Sequence, residues 1–203
     1  MAFINTKYKE VQAKIVYYGP GRCGKTTNLE YIYQQFRDRI PSDMVSIKTY
    51  GDRTLFFDFL PFDVGNIKGH SVRMQLYTVP GQLKYDATRK LVLKGVDGIV
   101  FVADSLAVQR EKNIISLKNL QDNLAEHRKD IHQIPLVLQY NKRDLENQGI
   151  PLLSLDVLER DLNLNFKLKV PSFPASALKG DNVVTTLKKI ISLTMSFFKN
   201  GLL

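Results

Sequence analysis

Hydrophobic residues fall into short unbroken runs, separated by longer segments in which they recur every three or four positions. The runs AKIVYY (13–18), GIVFVA (98–103) and PLVLQY (135–140) are apolar almost throughout. That pattern fits strands buried on both faces, as in a parallel sheet covered by helices. The clearest helical pattern is the last, where Val183, Val184, Leu187, Ile190, Ile191, Met195 and Phe198 line one face; docking on a sheet accounts for such a stripe. One local exception, GNIKG (65–69), predicts an antiparallel hairpin. The predicted order is β-α-β-β-α-β-α-β-α-β-α. With no internal repeat, low-complexity tract or Pro/Gly/Ser linker, it reads as one α/β domain over residues 1–203.

Composition narrows the setting. A chain of 203 residues with 44% hydrophobic content can bury one ordinary core, and two full domains are not expected. Cys23 is the single cysteine and cannot form an internal disulfide. No apolar run approaches the roughly 20 residues of a membrane span, and no secretory leader pattern is visible. The expectation is a cytoplasmic protein, monomeric on its own, without an integral membrane segment. The start MAFI lacks a myristoylation glycine and the end KNGLL lacks a prenylatable cysteine, so any membrane contact is expected to come through a partner. The net charge of +9 favours acidic partners. Its lysines and arginines are spread out, with modest clusters at EHRKD (126–130) and LKYDATRKLVLKG (83–95), both readable as solvated surface. Aromatics do not interleave with a basic run, so no nucleic-acid partner is expected.

The strongest motif is GPGRCGKT, Gly19 to Thr26, which follows the first long strand and opens a helix. It fits G-x-x-x-x-G-K-[ST], the phosphate-binding loop. Backbone amides and the helix N-terminus would wrap phosphates, Lys25 would reach the β- and γ-phosphates, and the Thr26 hydroxyl would face magnesium. Cys23, inside this loop, reads as a small filler. A second motif, NKRD (141–144), ends the strand PLVLQY. Asp144 there can accept hydrogen bonds from guanine N1 and N2, which adenine does not offer. Asn141 can brace the loop and meet the base, and the Lys142 stem can lie along the ring. In PASALKG (174–180) the Ala177 amide would approach guanine O6.

The phosphate loop, a switch threonine, the Gly-Gln loop, NKRD and SAL occur in the order and spacing of Ras-like small GTPases, across nearly the whole chain. More closely, FIN near the start, KIVYYGPGRCGKTTNLEYIY, DRTLFFDFLP, LYTVPGQ, LVLKGVDGIVFVADS and QYNKRDL resemble the bacterial MglA family. The resemblance implies a Ras-like P-loop GTPase fold: a three-layer α/β sandwich with a mostly parallel six-stranded central sheet. It implies GTP/GDP and Mg2+ as ligands and slow intrinsic hydrolysis. It also implies a cytoplasmic switch for cell polarity and for gliding or type IV pilus motility. Such a switch engages polarity or motility effectors at a cell pole in its GTP state, and a Roadblock/LC7-type partner, MglB, promotes hydrolysis. The matching nucleotide positions are Gly19, Gly21, Arg22, Cys23, Gly24, Lys25, Thr26, Thr27, Thr54, Gly81, Asn141, Lys142, Asp144, Ser176, Ala177 and Leu178.

Some positions depart from the wider pattern. TVPGQ (78–82) has Thr78 where Ras-like proteins carry an aspartate that helps hold magnesium. If the GNIKG turn pairs Val64 with His70, Asp58 faces Leu76 and lies diagonal to Thr78, on a face otherwise apolar through Leu60 and Phe62. A lone carboxylate there is costly unless paired or near a metal. Asp58 is therefore a candidate magnesium residue, acting through water, with Thr26 and Thr54; structural hydrogen bonding to Thr78 or to backbone amides is the alternative. Gln82 can orient the attacking water, and the Gly81 amide can sense the γ-phosphate. Arg53, just before Thr54, can act as an arginine finger from within the chain; an exposed loop arginine is the plainer reading. The resemblance implies that the activating partner remodels this strand. Phe57 and Phe59 point away from the Asp58 face, either into a partner or under a helix. Arg22 and Leu178 replace a common glycine and lysine. A non-hydrolysing GTP-binding scaffold stays open because of Thr78. A ribosome-assembly type of GTPase, suggested by the charge, finds little support, because no appended RNA-binding domain is expected and aromatics do not interleave with a basic run.

Overall fold

The computed structural model describes residues 3–5, 9–48, 56–67, 69–146, 148–164, 166 and 169–201. In chain order the elements are β1 (Phe3–Asn5), β2 (Glu10–Tyr18), α1 (Lys25–Gln35), β3 (Val45–Lys48), β4 (Phe56–Ile67), β5 (His70–Thr78), α2 (Asp86–Leu93), β6 (Gly98–Asp104), α3 (Arg110–Glu126), β7 (Leu136–Asn141), α4 (Leu155–Leu162), β8 (Ser172–Pro174) and α5 (Val183–Gly201).

The strands form one sheet in the order β3-β4-β5-β2-β6-β7-β8. Six of them, β4 to β8 with β2 at the centre, make the expected mostly parallel sheet, and β4 is antiparallel to β5. Two short strands are added to these six. β3 pairs antiparallel outside β4, and β1 pairs antiparallel with the first residues of β2, below the point where β6 joins it.

Both faces of the sheet are covered, which explains the unbroken apolar runs. Successive strand residues enter opposite cores: Ile15 and Tyr17 pack with Leu29, Ile32, Val183, Leu187 and Ile190 from α1 and α5. Val16 and Tyr18 pack with Val92, Leu93, Leu120, Leu124 and Leu158 from α2, α3 and α4. The result is a three-layer sandwich. Of the α5 stripe, Val183, Leu187, Ile190 and Ile191 are buried, and Val184, Met195 and Phe198 are partly so. Among the described residues no helix is long and apolar enough to cross a membrane.

The hairpin lies where GNIKG predicts it, but its register differs. Ile67, not Val64, pairs with His70, and the ladder continues to Phe62 opposite Met74 and Leu60 opposite Leu76. A bulge between Asp63 and Gly65 absorbs the irregularity, with the Asp63 side chain accepting from the Gly65 amide at 2.8 Å. Strand pairing extends through residues expected to form the turn, as far as Ile67 opposite His70, and Gly69 takes φ +82. The pairing thus moves by an even number of positions, so Asp58 stays on the predicted face, with Leu60 and Phe62. Its partner across the ladder becomes Thr78 in place of Leu76.

Candidate functional site

The phosphate loop spans the gap between β2 and α1 at the carboxyl edge of the sheet. Gly24 precedes α1 with φ +100, and a Cβ there would stand 2.2 Å from Asn141 Nδ2, so both backbone and space demand glycine. No side chain caps this helix and its first turn holds no acid, which leaves its amides for an anion. Lys25 is buried, and its Nζ donates to the carbonyls of Gly19 (3.1 Å) and Pro20 (2.7 Å). Burial pushes the pKa of this amine down. A buried cation held by loop carbonyls beside an uncapped helix start fits a phosphate ligand. Cys23 is wholly buried in the core, and burial pushes its thiol up, in accord with a filler role. Arg22 takes φ +63 and is exposed; Gly21 and Thr27 are half-buried.

Asn141 ends β7 and ties two loops together. Its Nδ2 donates to Cys23 O in the phosphate loop, and its Oδ1 accepts from Ala177 N–H, both at 2.7 Å. The Ala177 amide assigned to guanine O6 on sequence is therefore engaged by Asn141, because the loop after β8 folds directly onto the asparagine. Lys142, at φ +72, pairs with buried Asp104 at 2.6 Å. Asp144 is half-buried in the turn Arg143–Leu145. Ser176 is buried with its Oγ accepting from Lys179 N–H at 3.1 Å, whereas Leu178 is 77% exposed.

Where the sequence predicts magnesium, the Thr78 Oγ1 donates to Asp58 Oδ2 at 2.8 Å and accepts from the Asp58 N–H at 2.9 Å. The same carboxylate oxygen accepts from Thr26 Oγ1 at 2.6 Å. The carboxylate on β4 thus meets both the threonine that replaces the usual aspartate and the phosphate-loop threonine. Among the described residues no cluster of three His, Cys, Asp or Glu side chains could hold a metal. The donor set of one carboxylate and hydroxyls still suits Mg2+, which takes its remaining oxygens from phosphate and water. Arg53 and Thr54 lie outside the described residues.

Gly81 lies against the phosphate loop: a Cβ on it would be 2.3 Å from the Gly21 backbone. Gln82 beside it is exposed. Gly21, Arg22, Gly81 and Gln82 share the rim of a cavity of about 410 Å³ that reaches to Lys112 and Ser116 of α3. Phe57 and Phe59 are half-buried, with ring centroids 6.0 and 4.9 Å from Tyr77. Phe57 packs at the margin of the core under α2, α3 and α4, and β3 rather than β4 forms the edge.

One residue of this region escaped the sequence reading. Arg89 lies in the basic stretch 83–95, which reads as solvated surface, yet it is 0% exposed and contacts Pro80 and Gly81. The available signal was spacing. Arg89 stands three and four residues before Val92 and Leu93, in the apolar stripe of α2.

Comparison with known proteins agrees with this geometry. The Ras family profile matches residues 14–196. Mutual gliding-motility protein MglA of Myxococcus xanthus is 50% identical over 201 residues, covering 99% of this chain and all of the relative. ADP-ribosylation factor-like protein 4A of Homo sapiens is 28% identical over 180 residues, 87% of this chain and 80% of the relative. Ras-related protein SEC4 of Saccharomyces cerevisiae is 29% identical over 129 residues, 62% of this chain and 55% of the relative. Phosphate loop, guanine-side loops and sheet order agree with that match, and the chain belongs to the Ras family of P-loop GTPases.

Proposed function

We propose that the chain is a GTP-driven switch for cell polarity and motility; the name of its Myxococcus xanthus relative, mutual gliding-motility protein, supports the motility part of that role. Identity of 50% over essentially both whole chains supports carrying that role across. As a Ras-family P-loop GTPase the chain binds guanine nucleotide and hydrolyses GTP.

The observation that carries the reading of the site is the Thr26–Asp58–Thr78 arrangement. Asp58 supplies, from the neighbouring strand, the carboxylate that Thr78 lacks. Thr26, Thr54 and Asp58 hold Mg2+, whose charge offsets that of the β- and γ-phosphates. The Lys25 ammonium exchanges its loop carbonyls for phosphate oxygens, and the amides of Gly19 and of Gly21 to Thr27 wrap them. Asn141, Lys142, Asp144 and the Ser176–Ala177–Leu178 loop bind the base. The Gly81 N–H reads the γ-phosphate and Gln82 orients the attacking water. Arg53 neutralises developing charge, an effect worth about 10³ to 10⁵ in rate. A Roadblock/LC7-type partner of the MglB kind moves the Arg53–Thr54 segment into place, so it positions a residue without donating one. The GTP state then engages effectors, and partners bring a cytoplasmic monomer to a cell pole.

Single-turnover GTP hydrolysis with magnesium, with and without a Roadblock-type partner, tests this on wild type, Arg53→Ala, Gln82→Ala and Asp58→Ala. The expected result is strong activation in wild type, lost in the first two variants while nucleotide still binds, and altered magnesium dependence in the third. A wild type that never turns over, with substitutions that change nothing, would leave a non-hydrolysing scaffold, the reading motivated by Thr78.

A further inference from the structure

Arg89 is the bulkiest wholly buried side chain among the described residues. Its Nε donates to Pro80 O at 2.8 Å and its Nη2 to Gly81 O at 2.6 Å. Its Nη1 reaches Asn119 Oδ1 of α3 and, at 3.4 Å, the Tyr18 hydroxyl, and the guanidinium lies 5.1 Å from the centre of the Tyr18 ring. Behind it, Asn119 and Asn123 donate to Asp86 Oδ1 at 2.8 and 2.9 Å, and the Tyr18 hydroxyl donates to Asn119 at 2.6 Å. A buried guanidinium is expensive to desolvate, and carbonyl dipoles are weaker compensation than a carboxylate. Its position is better explained by what it holds than by packing.

What it holds is two successive peptide units. All peptide bonds of the described chain are trans, so each N–H points opposite to the carbonyl of its own unit. With Pro80 O drawn to Arg89, the Gly81 N–H is turned away from the arginine. With Gly81 O held likewise, the Gln82 N–H is also turned away. Gly81 itself abuts the Gly21 backbone of the phosphate loop.

We propose that Arg89 is a positioning residue for γ-phosphate recognition: by clamping the carbonyls of Pro80 and Gly81 it presents the Gly81 N–H to the terminal phosphate of GTP. This rests on the reading that the Gly81 amide senses that phosphate. GDP lacks the phosphate and gains nothing from the clamp, so discrimination between GTP and GDP depends on it. Asn119 braces the arginine and transmits the α3 position to the loop.

The test is titration of the full chain with a fluorescent non-hydrolysable GTP analogue and with fluorescent GDP, both with magnesium. Arg89→Lys keeps the charge but loses the fork that spans two carbonyls; Asn119→Ala keeps the arginine and loses its brace. The expected result is about tenfold weaker binding of the GTP analogue with GDP affinity little changed, the scale of one charge-assisted hydrogen bond. Equal weakening of both nucleotides, or no change in either, overturns the proposal. If Arg89→Lys does not fold, Asn119→Ala decides by the same ratio. Gly81→Ala separates the two levels. If it leaves the ratio at the wild-type value, the Gly81 reading itself fails. If it abolishes the preference while Arg89→Lys and Asn119→Ala retain it, only the role of Arg89 falls.

Discussion

At Gly24 two constraints coincide, and a matched glycine elsewhere separates them. The backbone is at φ +100 and an added Cβ would collide with Asn141 Nδ2, whereas Gly65, at φ +96, has nothing within 4 Å of its Cβ position. Gly24→Ala should cost the left-handed strain plus displacement of the asparagine; Gly65→Ala should cost the strain alone, about 1 kcal/mol. Calorimetry should show both variants less stable, and fluorescent-nucleotide titration should show weakened binding only for Gly24→Ala. Asp86 offers a pH signature. Burial would raise its pKa, but hydrogen bonds from Asn119, Asn123 and Lys90 overcome this and hold it below the ordinary 3.8. A depressed folded-state pKa contributes stability above the unfolded value, and that stability is lost as pH falls through the folded value. Urea unfolding should therefore show the advantage of wild type over Asp86→Asn shrinking as pH drops below 3.8.

Among the elements, the β4–β5 hairpin shows what a sequence conveys about register. The face of Asp58 was legible because residues with period two share a face, and an even slip preserves it. Its partner was not legible, because the bulge at Asp63–Gly65 depends on local backbone geometry that the pattern of apolar residues does not encode. The corrected pairing gives a prediction. Thr78→Val keeps the shape but removes the hydroxyl that both donates to the Asp58 carboxylate and accepts its N–H. The Asp58 N–H loses this acceptor and the carboxylate loses one donor, a cost of about 1–3 kcal/mol. Denaturant unfolding without nucleotide should show a lower midpoint at unchanged slope. With magnesium and nucleotide the gap should narrow, because the carboxylate then has a cation beside it. The packing of α5 was plainer to read, since a stripe that docks on a sheet shows its period directly. Leu187, 2% exposed, anchors it, and Leu187→Ala should cost about 2–5 kcal/mol in the same assay.

For the whole molecule, the sheet order brings together loops far apart in sequence, and the motifs in those loops were visible because each carries its own chemistry. The couplings between them were not visible. Asn141 reads in the sequence as a guanine-side residue, yet here it also links the phosphate loop after β2 to the loop after β8, so two loops far apart in sequence share one side chain. Arg89 went unread for the same reason: its partners lie on a preceding loop and on α3, and periodicity alone marks only that it faces inward. Such linkage makes nucleotide a fastener of the fold. A ligand held at a thousand times its Kd stabilises the folded state by about 4 kcal/mol, so removing nucleotide and magnesium with a chelator should lower Tm substantially. Asn141→Ala should lower the Tm of the stripped protein by leaving the buried Ala177 N–H unpaired, a cost of about 1–3 kcal/mol. It should reduce the nucleotide-dependent rise in Tm further, since the two halves of the site no longer hold each other in place. Scanning calorimetry on both proteins, stripped and reloaded with GDP, distinguishes these contributions. An equal nucleotide-dependent rise in wild type and Asn141→Ala would mean that the two ends of the site bind independently and the asparagine is only a local brace.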